Sequence, residues 1–420
     1  MVSSAQSGQS QPPTVNGPSG TRQRLDHVDA MRPIKQVAVI STHALIFFSP
    51  LSTSFLAASL LTLTHFSRNA FLFVSACMLA YSYRDQTAVA LGHYWRRRFV
   101  AVGLVYLVWT LIYFPVASMT PTSTFPYYSL AWSSLASTKG LHNLLFATAT
   151  GYYHLYFLLV LLEFYVVFPY VFALIRRYRR SHLWIVVGAL VWQLAYPALV
   201  RRGWLGFVMP AKVETRLITS YPLYLLGGVV AAFYLEQFHD FVVRHRRGLL
   251  LATALCGAAA LTLDYLSRVT HDLPLLLVPG GDPFAALVVP YDVGAIVAVY
   301  LLGVYLVAPG RGARTRAITR SGSEAAYGIY VSQLIWIIFL HRWAYEWGLL
   351  AAVPWLASTL FAVAFAYGAG WLFSAVVART PFARALVGRS RQSWATLLPR
   401  WGEIRAHDDV GEGPLNMTDV

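Results

Sequence analysis

An arginine and a histidine lie in the first apolar run of the chain, where ionisable side chains are costly. Arg32 and His43 are separated by ten residues in the stretch "DAMRPIKQVAVISTHALIFF". On an α-helix this spacing places both side chains on one face, about 16 Å apart along the axis. A guanidinium can bind an anion, and a neutral imidazole can accept a proton. The pair therefore indicates an anion-binding group close to the helix entrance and a deeper candidate base.

Both residues also have a structural interpretation. His43 can be a neutral imidazole that forms a hydrogen bond between helices, and Arg32 can anchor the cytoplasmic end of a span. The pair is more informative than either residue alone. If each residue had a separate structural role, the two would not need to lie on the same face of the helix.

A second apolar run, "GYYHLYFLLVLLEFYVVFPY", contains His154, Glu163 and Tyr165. His154 and Tyr165 are again eleven positions apart and share a helix face, whereas Glu163 lies on the opposite face. From another helix, Glu163 is expected either to orient the imidazole of His43 or to form a hydrogen bond with a neighbouring helix. Asp292, after Pro290, is a further candidate for a cavity lining.

Three consecutive arginines, Arg96, Arg97 and Arg98, follow the aromatic residues Tyr94 and Trp95. Such a cluster can be an anchor that reaches from a span into the lipid headgroups. It can also bind the phosphates of a cytosolic cofactor, because guanidinium groups pair well with phosphate oxygens.

The elements that carry these residues are membrane helices. Of 420 residues, 57% are hydrophobic and 12% are charged, with a mean hydropathy of +0.53, whereas soluble domains have about 25% charged residues. Continuous apolar runs predict an all-α, polytopic protein with about ten transmembrane helices. The predicted spans are residues 33–50, 66–83, 99–118, 154–175, 182–200, 219–238, 248–266, 284–307, 325–341 and 352–377. Residues 52–63 form either a separate helix or an extension along the interface.

Basic residues set the predicted orientation. Most arginines fall in alternate loops, which places both termini in the cytoplasm and the protein in the cell membrane. The net charge of +15 is thereby explained by topology and by contact with the lipid bilayer, and does not indicate nucleic-acid binding. Residues 1–24 are predicted to be a disordered tail, 25–385 the transmembrane domain and 386–420 a cytoplasmic tail.

The chain has two cysteines, Cys77 and Cys256, and each lies inside an apolar run. They are interpreted as packing residues, because a disulfide framework or a thiolate metal site requires more thiols or closer spacing. No metal is expected.

The ordered set of motifs resembles acyltransferase family 3, the integral-membrane O-acyltransferases of bacterial cell envelopes. The first motif comprises Asp29, Arg32 and His43 within "RLDHVDAMRPIKQVAVISTH". Four later segments are similar to further family segments in the same order: "NAFLFVSACMLAYSY", "YWRRRF", "YYHLYFLLVLLEFYVVFP" and "AAYGIYVSQLIW". The resemblance covers roughly residues 22–385. Three positions depart from it: Ala76 replaces a glycine of the second-span segment, Gln333 replaces a late histidine, and Ala101 replaces the last arginine of an "RRxxR" pattern.

The resemblance implies transfer of an acyl group from cytosolic acyl-CoA, with acetyl-CoA as the expected donor, to a hydroxyl that is typically on a carbohydrate. Within it, His43 is expected to be the general base, with Glu163 as a second catalytic residue. Arg32, Arg97 and Arg98 are expected to bind the cofactor phosphates, and His154 and Tyr165 to line the acceptor side. The alternative is a secondary transporter or an acyl-group exporter, since buried ionisable groups also occur in transporters. That class more often has two related halves with broken helices, which are not visible here.

Overall fold

A computed structural model describes residues 25–86, 90–116, 136–201, 216–270, 286, 288–308, 310 and 312–394. All regular structure in these ranges is helical. The predicted N-terminal tail, 1–24, and residues 395–420 of the predicted C-terminal tail, 386–420, lie outside the described residues. The first half of the chain contains α1 (Asp26–Phe48), α2 (Phe55–Thr64), α3 (Phe66–Tyr83), α4 (Leu91–Arg98), α5 (Leu104–Val116), α6 (Thr138–Thr150), α7 (Tyr156–Arg177) and α8 (His182–Arg201).

The regular structure of the second half of the chain is also helical in the described ranges. It contains α9 (Pro222–Ala231), α10 (Leu235–Arg244), α11 (Arg246–Thr270), α12 (Val288–Val307), α13 (Ala313–Glu346), α14 (Leu349–Ala352), α15 (Trp355–Val377) and α16 (Ala383–Val387). A π-helical segment, Phe99–Gly103, joins α4 to α5, so these two form one continuous rod.

The all-α class is confirmed, and each of the ten predicted spans overlaps a helix. Within the described ranges, six helices are long and apolar enough to cross a membrane. They are Leu91–Val116, Thr138–Arg177, Arg246–Val269, Val288–Val307, Arg314–Glu346 and Trp355–Val377. The number ten and the cytoplasmic location of the termini stay predictions.

Three boundaries differ from the predicted ones. The span 219–238 is broken, because α9 ends at Ala231 and α10 begins at Leu235. The span 325–341 is only the centre of α13, whose polar first turns continue the helix beyond the apolar window. Residues 52–63 belong mostly to a separate helix, α2, which is capped by the Ser54 side chain.

The first helix lies at the centre of the bundle. α1 packs against α12, α13 and α15, and α3 packs closely against α9. The largest cluster of buried side chains, drawn mainly from α3, α5, α7, α9 and α13, includes Trp109, Tyr113 and Phe168. Packing also continues past the predicted domain end at 385, because Val387 is fully buried and Trp109 donates to the Leu386 carbonyl. Cys77 and Cys256 are both free thiols, as predicted.

Gly228 makes the close approach of α9 to α3 possible, and its replacement by alanine is expected to destabilise the protein. A Cβ at this position would collide with the Phe73 carbonyl oxygen and lie 3.0 Å from the Ala76 Cβ. Helix backbones in membranes approach this closely only where small residues meet. We expect Gly228→Ala to lower the free energy of unfolding by about 1–3 kcal/mol, measured by denaturation in detergent.

The adjacent glycine provides the matched control. A Cβ on Gly227 would meet only the Phe73 ring edge, at 3.9 Å. Because alanine is favoured over glycine in a helix by about 1 kcal/mol, Gly227→Ala is expected to be neutral or stabilising. Equal effects of the two substitutions would contradict the close-packing explanation.

Candidate functional site

The unbroken α1 helix keeps Arg32 and His43 in register on one face, as their spacing predicts. Arg32 lies one and a half turns from the start of α1, exposes 47% of its side chain and pairs with Asp29 at 3.2 Å. His43 lies near the other end of the helix, where its Nδ1 is buried. Between them on the same face, Gln36 is fully buried. The helix therefore carries polar side chains from an exposed end into the interior.

His154 is brought into the bundle by a sharp turn before α7. α6 ends at Thr150, and Gly151 adopts a φ of 78°. A Cβ on Gly151 would collide with the backbone of Tyr156, so only glycine fits there. Tyr153 has a φ of 37°, an uncommon value for a residue with a side chain, and starts the short 3₁₀ turn that holds His154. Such local strain is often found at functional sites.

The structure brings the two sequence-predicted histidines together. The ring centroids of His43 and His154 are 5.9 Å apart, and the Tyr153 ring lies 5.2 Å from that of His43. Nδ1 of His43 has no hydrogen-bond partner among the described residues, whereas the His154 ring lies near the backbone of Tyr330 and Val331 on α13. Buried polar atoms without partners are rare in proteins. The Nδ1 of His43 is therefore a candidate to contact a ligand or a reacting group.

Two further ionisable residues, His65 and Arg68, lie beside this pair and were missed in the sequence. His65 interacts electrostatically with both His43 and Arg68. The Arg68 guanidinium donates to the Tyr156 hydroxyl at 3.0 Å and lies 5.2 Å from the centroid of the Tyr221 ring. Both residues precede a strongly apolar run, where they resemble interfacial anchors. Only the packing of α3 against other helices shows that they are internal.

Asp292 is fully buried and belongs to the same polar region. Its Oδ2 accepts hydrogen bonds from the Asn69 amide and, at 3.2 Å, from the Tyr224 hydroxyl. Arg68 supplies an opposite charge in the vicinity. The sequence identified Asp292 as a possible cavity lining, and the structure places it in a network that joins α3, α9 and α12.

The arginine cluster, Arg96 to Arg98, lies at the end of the bundle away from His43 and His154. Its members differ in burial. Arg97 is exposed, whereas Arg98 is half-buried, with its guanidinium 5.9 Å from the Tyr94 ring centroid and 5.6 Å from that of Tyr165. The Nε of Arg98 and the Tyr94 hydroxyl have no hydrogen-bond partner in the described part of the chain. Arg97 and Arg98 thus differ in burial and neighbours, and phosphate binding by either stays a prediction.

Tyr165 does not lie where the sequence analysis expects it. His154 lies in the 3₁₀ turn before α7, whereas Tyr165 lies in the third turn of α7, more than two helical turns further along and beside Arg98. Its predicted position on the acceptor side is therefore corrected to the end that carries the arginines. Helix periodicity does not identify which residues of other helices lie beside a side chain.

Glu163 is also not brought to His43. Its Oε2 accepts a hydrogen bond from the Ile218 backbone N–H at 2.7 Å, where a short 3₁₀ turn leads into α9. The ring contacts of His43 are with Tyr153 and His154. The structure therefore agrees with the alternative of a hydrogen bond to a neighbouring segment, and we do not retain a catalytic role for Glu163.

The substituted family position also belongs to the histidine region. Gln333, fully buried on α13, donates to the Tyr330 carbonyl, and the Tyr330 hydroxyl donates to the His154 carbonyl. The Oε1 of Gln333 has no partner among the residues described. An amide at this position can form hydrogen bonds but cannot act as a base at neutral pH.

A buried lysine was likewise missed. Lys35 is 1% exposed, with Nζ 4.4 Å from the centroid of the Phe71 ring. In the sequence it is one of several basic residues before a span and is indistinguishable from a topology anchor. Within the described ranges, no cluster of three or more His, Cys, Asp or Glu residues could hold a metal ion.

Along α1, an exposed guanidinium, that of Arg32, is thus followed by a buried imidazole, that of His43. An elongated ligand with an anionic head would place its far end near His43 and His154. Comparison with known families gives a consistent result, because the family model described as "Acyltransferase domain" (family 3) matches residues 25–375. No curated protein and no solved structure matches the chain.

Proposed function

The chain belongs to acyltransferase family 3 and is a membrane protein, and from this premise we propose that it transfers an acyl group from cytosolic acyl-CoA to a hydroxyl. The observation that carries the proposal is the contact between His154 and His43, which lies on the α1 face that also presents Arg32 and whose Nδ1 is buried without a hydrogen-bond partner among the described residues. The acceptor class that we propose is a carbohydrate of the cell envelope or a secreted product.

The donor would lie along α1. Its phosphates would remain near Arg32 and Arg98, at the end of the bundle where basic residues are exposed. The pantetheine arm would extend toward His43, about 16 Å further along the helix. Arg32 is compatible with this role because its only ion pair among the described residues is a partly exposed one with Asp29, which is weak. The positive-inside pattern supports placing this end in the cytosol.

In the proposed reaction, His43 accepts the proton of the acceptor hydroxyl as its oxygen attacks the thioester carbonyl. A new C–O bond forms, and the tetrahedral intermediate collapses with cleavage of the C–S bond. The thiolate of CoA leaves and takes the proton from the imidazolium, so that free CoA and an ester are the products. His154, adjacent to His43, would orient the acceptor or share the proton.

The function is tested by supplying membranes that contain the protein with acyl-CoA labelled in the acyl group. We expect transfer of label to an envelope glycan or secreted carbohydrate as an alkali-labile ester, identified by mass spectrometry. Membranes from cells that lack the gene provide the baseline. Label that remains on CoA, or that appears as an alkali-stable amide, would reject O-acyl transfer.

A further inference from the structure

Gln36 is a buried amide whose hydrogen-bonding groups are unused within the described structure. Its side chain is 0% exposed, and neither Oε1 nor Nε2 has a hydrogen-bond partner among the described residues. An unpaired amide in an apolar interior is costly, because it has lost its hydrogen bonds to water without replacement. Such a group at this position requires an explanation.

Other buried glutamines of the bundle differ from it. The Gln193 amide donates to the Ser220 carbonyl at 2.9 Å, and the Gln333 amide donates to the Tyr330 carbonyl at 3.2 Å. In each of these two residues the NH₂ group has a hydrogen-bond partner and only the Oε1 has none in the described structure. Gln36 has none in the described structure, so a role in holding helices together does not account for it.

The position of Gln36 on α1 connects the two ends of the proposed donor path. It follows Arg32 by four residues and precedes His43 by seven, so the three side chains lie within about 40° of one another around the helix. Along the axis, Gln36 lies about 6 Å from Arg32 and about 10 Å from His43. A ligand that extends from one to the other must pass the Gln36 amide.

The chemistry of a pantetheine arm matches this spacing. The arm contains two amides, and the nitrogen of the second is about seven bonds from the thioester sulfur, or roughly 8 Å when extended. With the thioester near His43, the second amide falls close to Gln36. Glutamine offers a carbonyl acceptor and an NH₂ donor, which complement the N–H and C=O of a secondary amide.

We propose that Gln36 binds the second amide of the pantetheine arm and so sets the depth to which the thioester reaches. This inference rests on the proposed function, because it requires an acyl-CoA donor. Gln36 is a donor-binding residue in this scheme, and it takes no part in proton transfer.

The test compares donors that contain or lack the second amide. Acetyl-CoA and acetyl-pantetheine contain both amides, whereas the thioester of N-acetylcysteamine contains only the first. In Gln36→Met, which keeps the side-chain length and removes the amide, we expect the KM for the two longer donors to rise about tenfold. The KM for the N-acetylcysteamine thioester should not change. The dissociation constant of CoA, measured by titration calorimetry in detergent, should rise by the same factor.

The comparison between donors is made within one preparation, so it does not depend on the fraction of protein that folds. Gln36→Leu gives a second variant with the same expectation, and Gln237→Met, on the exposed face of α10, is the matched control. An equal rise in KM for all three donors, or an unchanged dissociation constant for CoA, would overturn the inference. If the unsubstituted protein binds no CoA, the proposed function itself fails, and this inference falls with it.

Discussion

Replacing His43 with alanine is expected to lower the rate of acyl transfer by about 10²–10⁴-fold, the range contributed by a positioned general base. The imidazole is the one basic side chain on α1 that lies beside His154, and the Nδ1 of His43 is unpaired within the described structure. Without it, no group on α1 at that depth can accept the hydroxyl proton. The initial rate of CoA release in the presence of acceptor measures this effect.

Two controls separate chemistry from folding. His43→Gln keeps a hydrogen-bonding side chain of comparable size but cannot accept the proton, and it should therefore be as inactive as His43→Ala. His142→Ala removes an exposed imidazole on α6 and should retain full activity. Gel filtration and thermal melting in detergent establish that each variant is folded. Transfer by folded His43→Gln at the original rate would show that His43 is not the base.

The second large effect is expected on stability. Asp292→Ala should lower the free energy of unfolding by about 3–5 kcal/mol, because it removes one member of a buried, charged network. The substitution leaves the Asn69 amide and the Tyr224 hydroxyl without the acceptor that each now uses. It also removes the electrostatic interaction between Asp292 and the Arg68 guanidinium. Unfolding by denaturant in mixed micelles provides the measurement.

An exposed acid provides the comparison. Asp85 exposes 75% of its side chain and pairs with Arg84 at 3.6 Å. Exposed pairs of this kind contribute about 0–1 kcal/mol, so Asp85→Ala should change stability little. The free energy of unfolding of Asp292→Asn should lie between those of Asp292→Ala and Asp85→Ala, because asparagine retains an acceptor oxygen and loses the charge. Similar stability of Asp292→Ala and Asp85→Ala would show that the network does not stabilise the bundle.

The polar residues of the interior also show why sequence patterns find some site residues and miss others. His43 and His154 are visible because each interrupts a long apolar run, where an ionisable group is unusual. Arg68 and Lys35 stand near the ends of apolar runs, where basic residues ordinarily reach toward headgroups. Their burial depends on which helix packs against them, and no local pattern carries that information.

The predictions for Tyr165 and Glu163 differ from the structure for a related reason. The helical period predicts one face for His154 and Tyr165 and the opposite face for Glu163, but His154 lies in a 3₁₀ turn before α7. The helical period does not predict which residues of other segments contact a given face of the helix. In the structure, Arg98 lies beside Tyr165, and the start of the segment before α9 lies beside Glu163.

By itself, the sequence determined that this protein is a helical membrane protein and that Arg32 and His43 share one face of its first helix. Those properties are local, because hydropathy and the 3.6-residue period depend only on neighbouring residues. The tertiary structure alone decided that His43 meets His154, that Asp292 joins Asn69 and Tyr224, and that Tyr165 lies with Arg98. These contacts join residues far apart in the chain, and they are set by how the helices rotate and slide against one another as they pack.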